Sequence, residues 1–212
     1  MTNRIERQEI TGLILAGGRG TRMMGVDKGL QNFNGIAMAL HILMRLGPQV
    51  EDVMINANRN LAAYESFGTP VWPDPSTDFS GPLSGFVVGL EHAQTPYLLT
   101  VPCDTPRLPL DLAQRLANAL VSEDAEIAMA AAAEIKSDGT TEIRTQPVFC
   151  LMRTTLLESL VKFTCAGGRK IDAWTDQHKT VIVPFNEVGD DPLAFANINT
   201  LSELQTLENA AP

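Results

Sequence analysis

A glycine-rich loop after the first apolar run is the clearest candidate for chemistry in this chain. The loop reads Leu-Ala-Gly-Gly-Arg-Gly-Thr-Arg at residues 15–22, and Lys28 follows it closely. Small residues let backbone N–H groups approach an anion, while Arg19, Arg22 and Lys28 concentrate positive charge beside them. The loop and its cations therefore predict a phosphate-binding site.

Two common phosphate-binding loops do not fit these residues. Met23 stands where a dinucleotide-binding loop has its third glycine, and the second predicted strand ends in Asn56 instead of an acid for the ribose. Gly20 and Gly25 have the spacing of a P-loop, but Val-Asp at 26–27 replaces the required Lys-Ser/Thr. The loop belongs to a third pattern, LAGGxGTRM followed by Asp-Lys-Gly.

An acidic residue at the end of a later apolar run is a candidate metal ligand. Asp104 follows the predicted buried strand 97–102, at the edge of a sheet where a hard carboxylate can hold Mg²⁺. Magnesium usually takes one or two protein carboxylates together with waters and phosphates, so one acid is sufficient. Asn197 and Asn199 share one face of an extended segment and are candidates to complete the metal or acceptor site. A turn before Pro106 is the alternative for Asp104, and capping of the last helix is the alternative for the asparagines.

The elements that position these residues alternate between strands and helices. Short apolar runs separated by segments of helical periodicity are typical of parallel βαβ units, so the sequence predicts an α/β fold. The predicted strands are 10–15, 52–57, 97–102, 126–133 and 146–152, and the predicted helices are 37–46, 83–93, 112–120 and one that starts at Thr200 with a capping box to Glu203. The polar stretch 136–140 predicts a hairpin turn, which makes the sheet mixed but mostly parallel.

Composition limits the class of partner. The 212 residues are 44% hydrophobic and 19% charged, which predicts a single domain over residues 1–212. A net charge of -9 argues against nucleic-acid and anionic-membrane partners, which are bound through clustered Lys and Arg. Three cysteines without CxxC spacing, a polar N-terminus and no apolar run of about 18 residues predict a cytoplasmic protein. The three histidines show no zinc-site spacing with the cysteines.

Motifs along nearly the whole chain resemble the molybdenum cofactor guanylyltransferases, a branch of the nucleotidyltransferases. Besides the loop, these motifs are GVDKGL at 25–30, GPLSG at 81–85, CDTP at 103–106, QPVF at 146–149 and NINT at 197–200. The resemblance implies a single-domain, three-layer αβα Rossmann-like nucleotidyltransferase fold, with GTP and Mg²⁺ bound by the N-terminal part and the acceptor by the C-terminal part. It also implies transfer of GMP from GTP to the phosphate of molybdopterin carrying molybdenum, with release of pyrophosphate.

The resemblance assigns roles to individual residues of this chain. The implied nucleotide-binding residues are Leu15, Ala16, Gly17, Gly18, Lys28, Asn56, Asp74 and Asp104. Lys28, Asp104 and Arg22 are the implied catalytic residues, and Asp104 is the implied Mg²⁺ ligand. The implied partners are GTP and Mo-molybdopterin as substrates, with transient contacts to cofactor-assembly proteins and recipient apo-enzymes.

Several alternatives stay open. Asn56 and Asp74 also suit plain turns, and the segment 167–170, which includes Arg169 and resembles an acceptor-side segment of the family, also suits a helix C-cap. Residues 34–38 lack a lysine that the superfamily commonly carries there. For the whole chain, a cytidylyltransferase acting on the same pterin and a non-catalytic module that delivers the cofactor are the competing hypotheses.

Overall fold

Nine strands and seven helices follow one another along the part of the chain that the computed structural model describes, residues 4–17, 27–74, 81–135, 140–198 and 200–209. The strands are β1 Ile10–Leu15, β2 Asn32–Phe33, β3 Ile36–Ala37, β4 Asp52–Asn56, β5 Val71–Trp72, β6 Tyr97–Pro102, β7 Ile127–Ile135, β8 Thr141–Arg153 and β9 Thr180–Phe185. The helices are α1 Met38–Leu46, α2 Leu61–Glu65, α3 Pro82–His92, α4 Leu112–Ser122, α5 Leu157–Cys165, α6 Ile171–Thr175 and α7 Leu201–Asn209.

The main sheet is mixed and mostly parallel, which confirms the predicted fold class. It has seven strands in the order β5-β4-β1-β6-β8-β7-β9. β8 pairs antiparallel with both β6 and β7, whereas the remaining neighbours are parallel. The predicted hairpin strands, β7 and β8, do pair, and residues 136–139 between them lie outside the described residues.

Helices cover both faces of this sheet, so the three-layer architecture is also confirmed. Successive side chains of a strand point to opposite faces, and β1 shows the consequence. Ile10 and Ile14 pack in one core cluster with buried residues of α1 and α4, while Leu13 packs in a second cluster with buried residues of α3, α5 and α6.

The strand order creates a crevice at the carboxyl ends of β1 and β6. From β1 the chain runs through α1 to β4 on one side, and after β5 it returns through α3 to β6 on the other side of β1. Where the order reverses in this way, the loops that follow the two strands diverge and leave room for a ligand. The loop after β1 and Asp104 after β6 both belong to this edge.

The last described segment packs against the β2–β3 hairpin. The capping box is present as predicted, since the Thr200 N–H donates to Glu203 Oε2 at 3.0 Å and the Glu203 N–H donates to Thr200 Oγ1 at 3.1 Å. Leu204 and Leu207 of α7 pack in a third, smaller core cluster with Phe33 of the β2–β3 hairpin. Nowhere in the described ranges is a helix both long and apolar enough to span a membrane.

Candidate active site

An ion pair between Lys28 and Asp104 lies at the crevice. Lys28 Nζ lies 3.0 Å from Asp104 Oδ2, although 76 residues separate the two in the chain. Only 23% of the lysine side chain and 15% of the aspartate side chain are exposed, so the pair is largely shielded from water. The structure thus brings together the cation and the acid that the sequence singled out separately.

The start of the glycine-rich loop continues the central strand. The Ala16 N–H donates to the Asn56 carbonyl at 2.8 Å, and the Cys103 N–H donates to the Leu15 carbonyl at 3.1 Å. At Gly17 a Cβ atom would lie 3.0 Å from both Asn56 Oδ1 and the Asn58 amide nitrogen, which is closer than side chains normally approach. Glycine therefore lets the loop leave the sheet against these two asparagines.

Part of the predicted loop cannot be placed beside this pair. Gly18, Arg19 and Arg22 lie outside the described residues, as does Asn199. Their predicted roles in phosphate binding and in the acceptor site stay predictions.

Asp74, which follows β5, is held by three neutral side chains; we name this set the Asp74 network. Asn56 Nδ2 donates to Asp74 Oδ1 at 2.9 Å, and both Asn58 Nδ2 and Ser84 Oγ donate to Asp74 Oδ2 at 2.8 Å. The Asp74 N–H in turn donates to Asn58 Oδ1 at 2.8 Å. Asn58 and Ser84 were not predicted as site residues.

Asn56 is a buried member of this network. Its side-chain nitrogen donates to the Trp72 carbonyl at 3.1 Å as well as to Asp74. Its Oδ1 faces Gly17 and Gly85, where a Cβ would lie 3.0 Å and 2.6 Å away, respectively. Asn56 therefore links β4, β5 and α3 at the point where the loop after β1 begins.

The other side of Asp104 is bordered by the C-terminal segment. The Ile198 N–H donates to the Asp104 carbonyl at 2.9 Å, and Thr105 Oγ1 donates to Asn197 Oδ1 at 2.6 Å. Asn197, predicted to complete the metal or acceptor site, is thus one residue removed from the acid that it was predicted to support.

The segment 167–170 forms the C-terminal cap of α5. Gly167 has a φ of +91°, the Gly168 N–H donates to the Phe163 carbonyl at 3.0 Å, and Arg169 Nη1 donates to the Thr164 carbonyl at 3.2 Å. The Arg169 carbonyl is 3.9 Å from the position of a Cβ on Gly81, just before α3. The capping alternative is confirmed, and the role toward the acceptor phosphate stays a prediction.

A second carboxylate network lies beneath Lys28; we name it the Asp27 network. Tyr64 Oη donates to Asp27 Oδ1 at 2.5 Å, and Asn60 Nδ2 donates to Asp27 Oδ2 at 3.0 Å. Asp27 is 9% exposed and Tyr64 is fully buried. The sequence motif drew attention to Asp27 only as part of a pattern, and it gave no signal for Tyr64 or Asn60.

Burial controls the chemistry of the neighbouring hydroxyl and thiol groups. It raises the pKa of the Tyr64 hydroxyl, which Cys103 and Asp27 raise further. It also raises the pKa of the Cys103 thiol, with added contributions from Asp104 and Asp27. Both groups keep their protons at neutral pH, so neither is a nucleophile there.

Comparison with protein families gives one match over most of the chain. Residues 12–181 match the MobA-like NTP transferase domain. The chain is 69% identical over 205 residues to a molybdenum cofactor guanylyltransferase of Acidovorax sp. strain JS42, covering 96% of this chain and 97% of that protein. It is 58% identical over 205 residues to a molybdenum cofactor guanylyltransferase of Bordetella pertussis, covering 97% of this chain and 100% of that protein.

Solved structures of similar fold come from more distant proteins. Molybdopterin-guanine dinucleotide biosynthesis protein A of Archaeoglobus fulgidus superposes with a TM-score of 0.73 at 18% identity, covering 93% of this chain and 96% of that chain. The 4-diphosphocytidyl-2C-methyl-D-erythritol synthase of Anaerococcus prevotii superposes with a TM-score of 0.69 at 13% identity, covering 95% of each chain. At these identities the likeness concerns the fold.

Proposed function

This chain belongs to the family of MobA-like NTP transferases, and from that membership we propose that it transfers GMP from GTP to the phosphate of molybdopterin carrying molybdenum. The products are the guanine dinucleotide form of the cofactor and pyrophosphate. The observation that carries the proposal is the shielded Lys28–Asp104 pair in the crevice beside the first residues of the glycine-rich loop. The names of the relatives support guanine as the base.

The reaction needs no covalent enzyme intermediate and no general base. An oxygen of the acceptor phosphate, already an anion, forms a bond to the α-phosphorus of GTP. The bond from that phosphorus to the oxygen bridging the α- and β-phosphates breaks, and pyrophosphate leaves with the electron pair. The protein contributes positioning and charge stabilisation, and Lys28 is placed to offset negative charge on the leaving group.

The described side chains fit a divalent metal through Asp104. Across the residues that the structure describes, no group of three His, Cys, Asp or Glu side chains could hold a metal ion, which suits Mg²⁺ bound mainly by phosphates and waters. In the two carboxylate networks, both oxygens of Asp27 and of Asp74 already accept hydrogen bonds from side chains. We propose Asp104, at the carboxyl end of β6 in the crevice, as the Mg²⁺ ligand; when bound, the ion would neutralise charge on the triphosphate.

The loop backbone supplies the remaining part of the proposed nucleotide site. Leu15, Ala16 and Gly17 lead directly from β1 into the crevice, and we propose that they and Gly18 contact the guanine nucleotide, with Arg22 beside the phosphates. Asp74, oriented by its network, is proposed to face the same nucleotide. Asn56 supports Asp74 through a hydrogen bond and supports the loop by lying against Gly17.

A comparison of nucleotides tests the proposal. With molybdopterin carrying molybdenum as acceptor and Mg²⁺ present, we expect pyrophosphate release with GTP and much less with CTP or ATP. Preference for CTP would replace the guanylyl assignment with the cytidylyl one. Binding of the pterin without any pyrophosphate release would favour the delivery module.

Two substitutions test the site separately from the base. Lys28→Ala and Asp104→Asn are each expected to lower kcat by about 10² or more, because each removes a charge next to the reacting phosphates. Lys162→Ala is the matched control, since Lys162 forms an exposed pair with Glu158 at 2.8 Å on α5 and should leave the rate unchanged. Full metal-dependent activity in Asp104→Asn would overturn the assignment of the metal ligand.

A further inference from the structure

The turn that carries Lys28 is held in place by the preceding residue, Asp27. Residues Lys28–Leu30 form one turn of 3-10 helix that begins after Asp27. The Leu30 N–H donates to the Asp27 carbonyl at 3.3 Å, and the Gln31 N–H donates to the Lys28 carbonyl at 3.0 Å. Asp27 points into the core while Lys28 reaches Asp104, so the two side chains serve opposite sides of one turn.

Both oxygens of the Asp27 carboxylate accept hydrogen bonds from the short helix α2 and the residue before it. Tyr64 belongs to α2, and Asn60 immediately precedes it with a left-handed φ of 50°. Tyr64 is held in turn by the core, where its ring packs edge-on against Phe67 with centroids 5.9 Å apart. The position of the turn is therefore determined by α2 and by the buried side chains around Tyr64.

Gly29 makes this contact possible. A Cβ atom on Gly29 would lie 2.4 Å from Tyr64 Oη, so only glycine lets the phenol reach under the turn. Three consecutive residues thus have three different roles. Asp27 binds the Tyr64 hydroxyl, Lys28 presents its ammonium group to Asp104, and Gly29 leaves room for the Tyr64 hydroxyl.

We propose that Asp27 and Tyr64 are positioning residues that act through Lys28: their buried hydrogen bond sets the turn and thereby the reach of the ammonium group toward Asp104 and the nucleotide phosphates. This inference rests on the proposed role of Lys28 in nucleotide binding. It assigns to a residue pair 37 positions apart in the chain a part in the reaction that neither residue performs by touching the substrate.

A double-mutant cycle distinguishes this role from a purely structural one. Tyr64→Phe removes the donor and keeps the ring, and GTP affinity is measured by titration with Mg²⁺ and no acceptor. We expect a loss of about 10-fold in the wild-type background and less than about 2-fold in the Lys28→Ala background, because residues that act through one group are not additive. Tyr97→Phe, at the only other tyrosine of the chain, is the matched control and should keep wild-type affinity.

Each other outcome overturns the proposal. An equal loss in both backgrounds would mean that Tyr64 acts independently of Lys28. Unchanged GTP affinity together with a lower free energy of unfolding would mean that the bond only stabilises the fold. Should Tyr64→Phe fail to fold, Asn60→Gly keeps the left-handed backbone and removes the second donor, with an expected loss of about 3-fold that again disappears with Lys28→Ala.

The same titrations separate this inference from the proposed function. If the wild-type protein prefers CTP, the guanylyl assignment fails, and the cycle measured with CTP still decides whether Tyr64 acts through Lys28. If the wild-type protein binds no nucleoside triphosphate, both proposals fail.

Discussion

The Asp27 and Asp74 networks use the same chemistry in opposite surroundings. In each, a carboxylate accepts hydrogen bonds from neutral side chains on both of its oxygens. Asp27 is 9% exposed and bound by the fully buried Tyr64, whereas Asp74 is partly exposed; each network also has one exposed asparagine donor, Asn60 and Asn58, respectively. Since a buried donor that loses its acceptor cannot turn to water, the first network is suited to fixing the backbone and the second to facing a ligand.

The donors also differ in what else they can bind. In the Asp74 network, Ser84 Oγ also donates to the Gly81 carbonyl at 3.0 Å, and Asn56 Nδ2 also donates to the Trp72 carbonyl at 3.1 Å. Loss of Asp74 leaves both donors with a second acceptor. A hydrogen-bonded acid at a site is therefore not by itself a ligand-binding group; its burial and the other acceptors open to its donors decide its role.

Removal of each carboxylate gives the largest expected contrast. Asp27→Ala should lower the free energy of unfolding by about 3 kcal/mol, because it leaves the Tyr64 hydroxyl unpaired in the core. Asp74→Ala should cost about 1 kcal/mol or less, because its donors keep other acceptors or water. Urea unfolding of the two variants checks this, and equal losses would remove the distinction between the networks.

Glycine substitutions sharpen the contrast at an intermediate scale. Gly29→Ala should destabilise the fold by about 2 kcal/mol, because its Cβ would overlap Tyr64 Oη. Gly17→Ala should cost less, about 1 kcal/mol, because the exposed Asn58 can move aside. The measurement is again the free energy of unfolding.

A double mutant identifies the cause of the Gly29 effect. With Tyr64→Phe present, the nearest ring atoms are 3.2 Å from the Cβ position, so the cost of Gly29→Ala should fall by about 1 kcal/mol. A strictly additive pair would show that the clash with the hydroxyl is not what glycine avoids.

Of the two networks, only the Asp27 network should respond to alkaline pH, through the Tyr64 hydroxyl. Because the folded-state pKa of Tyr64 is raised above its ordinary value of 10.0, its contribution is fully present below that pH. It declines as pH rises further, since the unfolded chain loses the proton first. The slope from this one group grows from about 0.7 kcal/mol per pH unit at pH 10 toward a limit of about 1.4 kcal/mol per pH unit at higher pH. The amides and serine of the Asp74 network have no proton to lose in this range.

Unfolding curves between about pH 10 and pH 11 test that slope. The free energy of unfolding of the Tyr64→Phe variant should fall less steeply with pH than that of the wild-type protein. The difference in slope corresponds to at most about one proton released on unfolding. Identical slopes would show that the Tyr64 hydroxyl titrates alike in the folded and unfolded chains.

The central part of the fold was predictable because its signals are long and periodic. β1, β4 and β6 are apolar runs that end at polar or glycine-rich residues, and α1, α3 and α4 have apolar residues at helical spacing. The rule that ligand sites form at the carboxyl ends of parallel strands predicted the place of Asp104 at the sheet edge, and its contact with Lys28 is given only by the structure.

The elements that the sequence did not predict gave weaker or interrupted signals. β5 has two residues and α2 has five, which is one strand period and little more than one helical turn, so neither can show a repeating pattern. β9 is apolar apart from Thr180, but Pro184 lies within it, and a proline weakens the sequence signal for a strand. α5 and α6 were likewise not predicted.

The residues missed at the site share a different reason. Tyr64, Asn58 and Ser84 act through partners that are 37, 16 and 10 positions away, respectively, so their duties exist only in three dimensions. Asn60 gave no signal in the sequence, because asparagine is common in turns, where it often adopts the left-handed backbone seen here. Sequence spacing can predict which groups lie at one edge of the sheet, but it does not reveal which side chains hold the others in position by hydrogen bonds.

The return of the C-terminal segment to Asp104 also bears on how the protein is made. Asn197 binds Thr105 across 92 positions, so a growing chain can carry β1, β6 and the glycine-rich loop while one flank of the crevice is still untranslated. Chains emerge from the ribosome with the N-terminal part first. Assembly of the crevice therefore waits until Asn197 has been synthesised, and a chain terminated before that residue would display Asp104 without its covering flank.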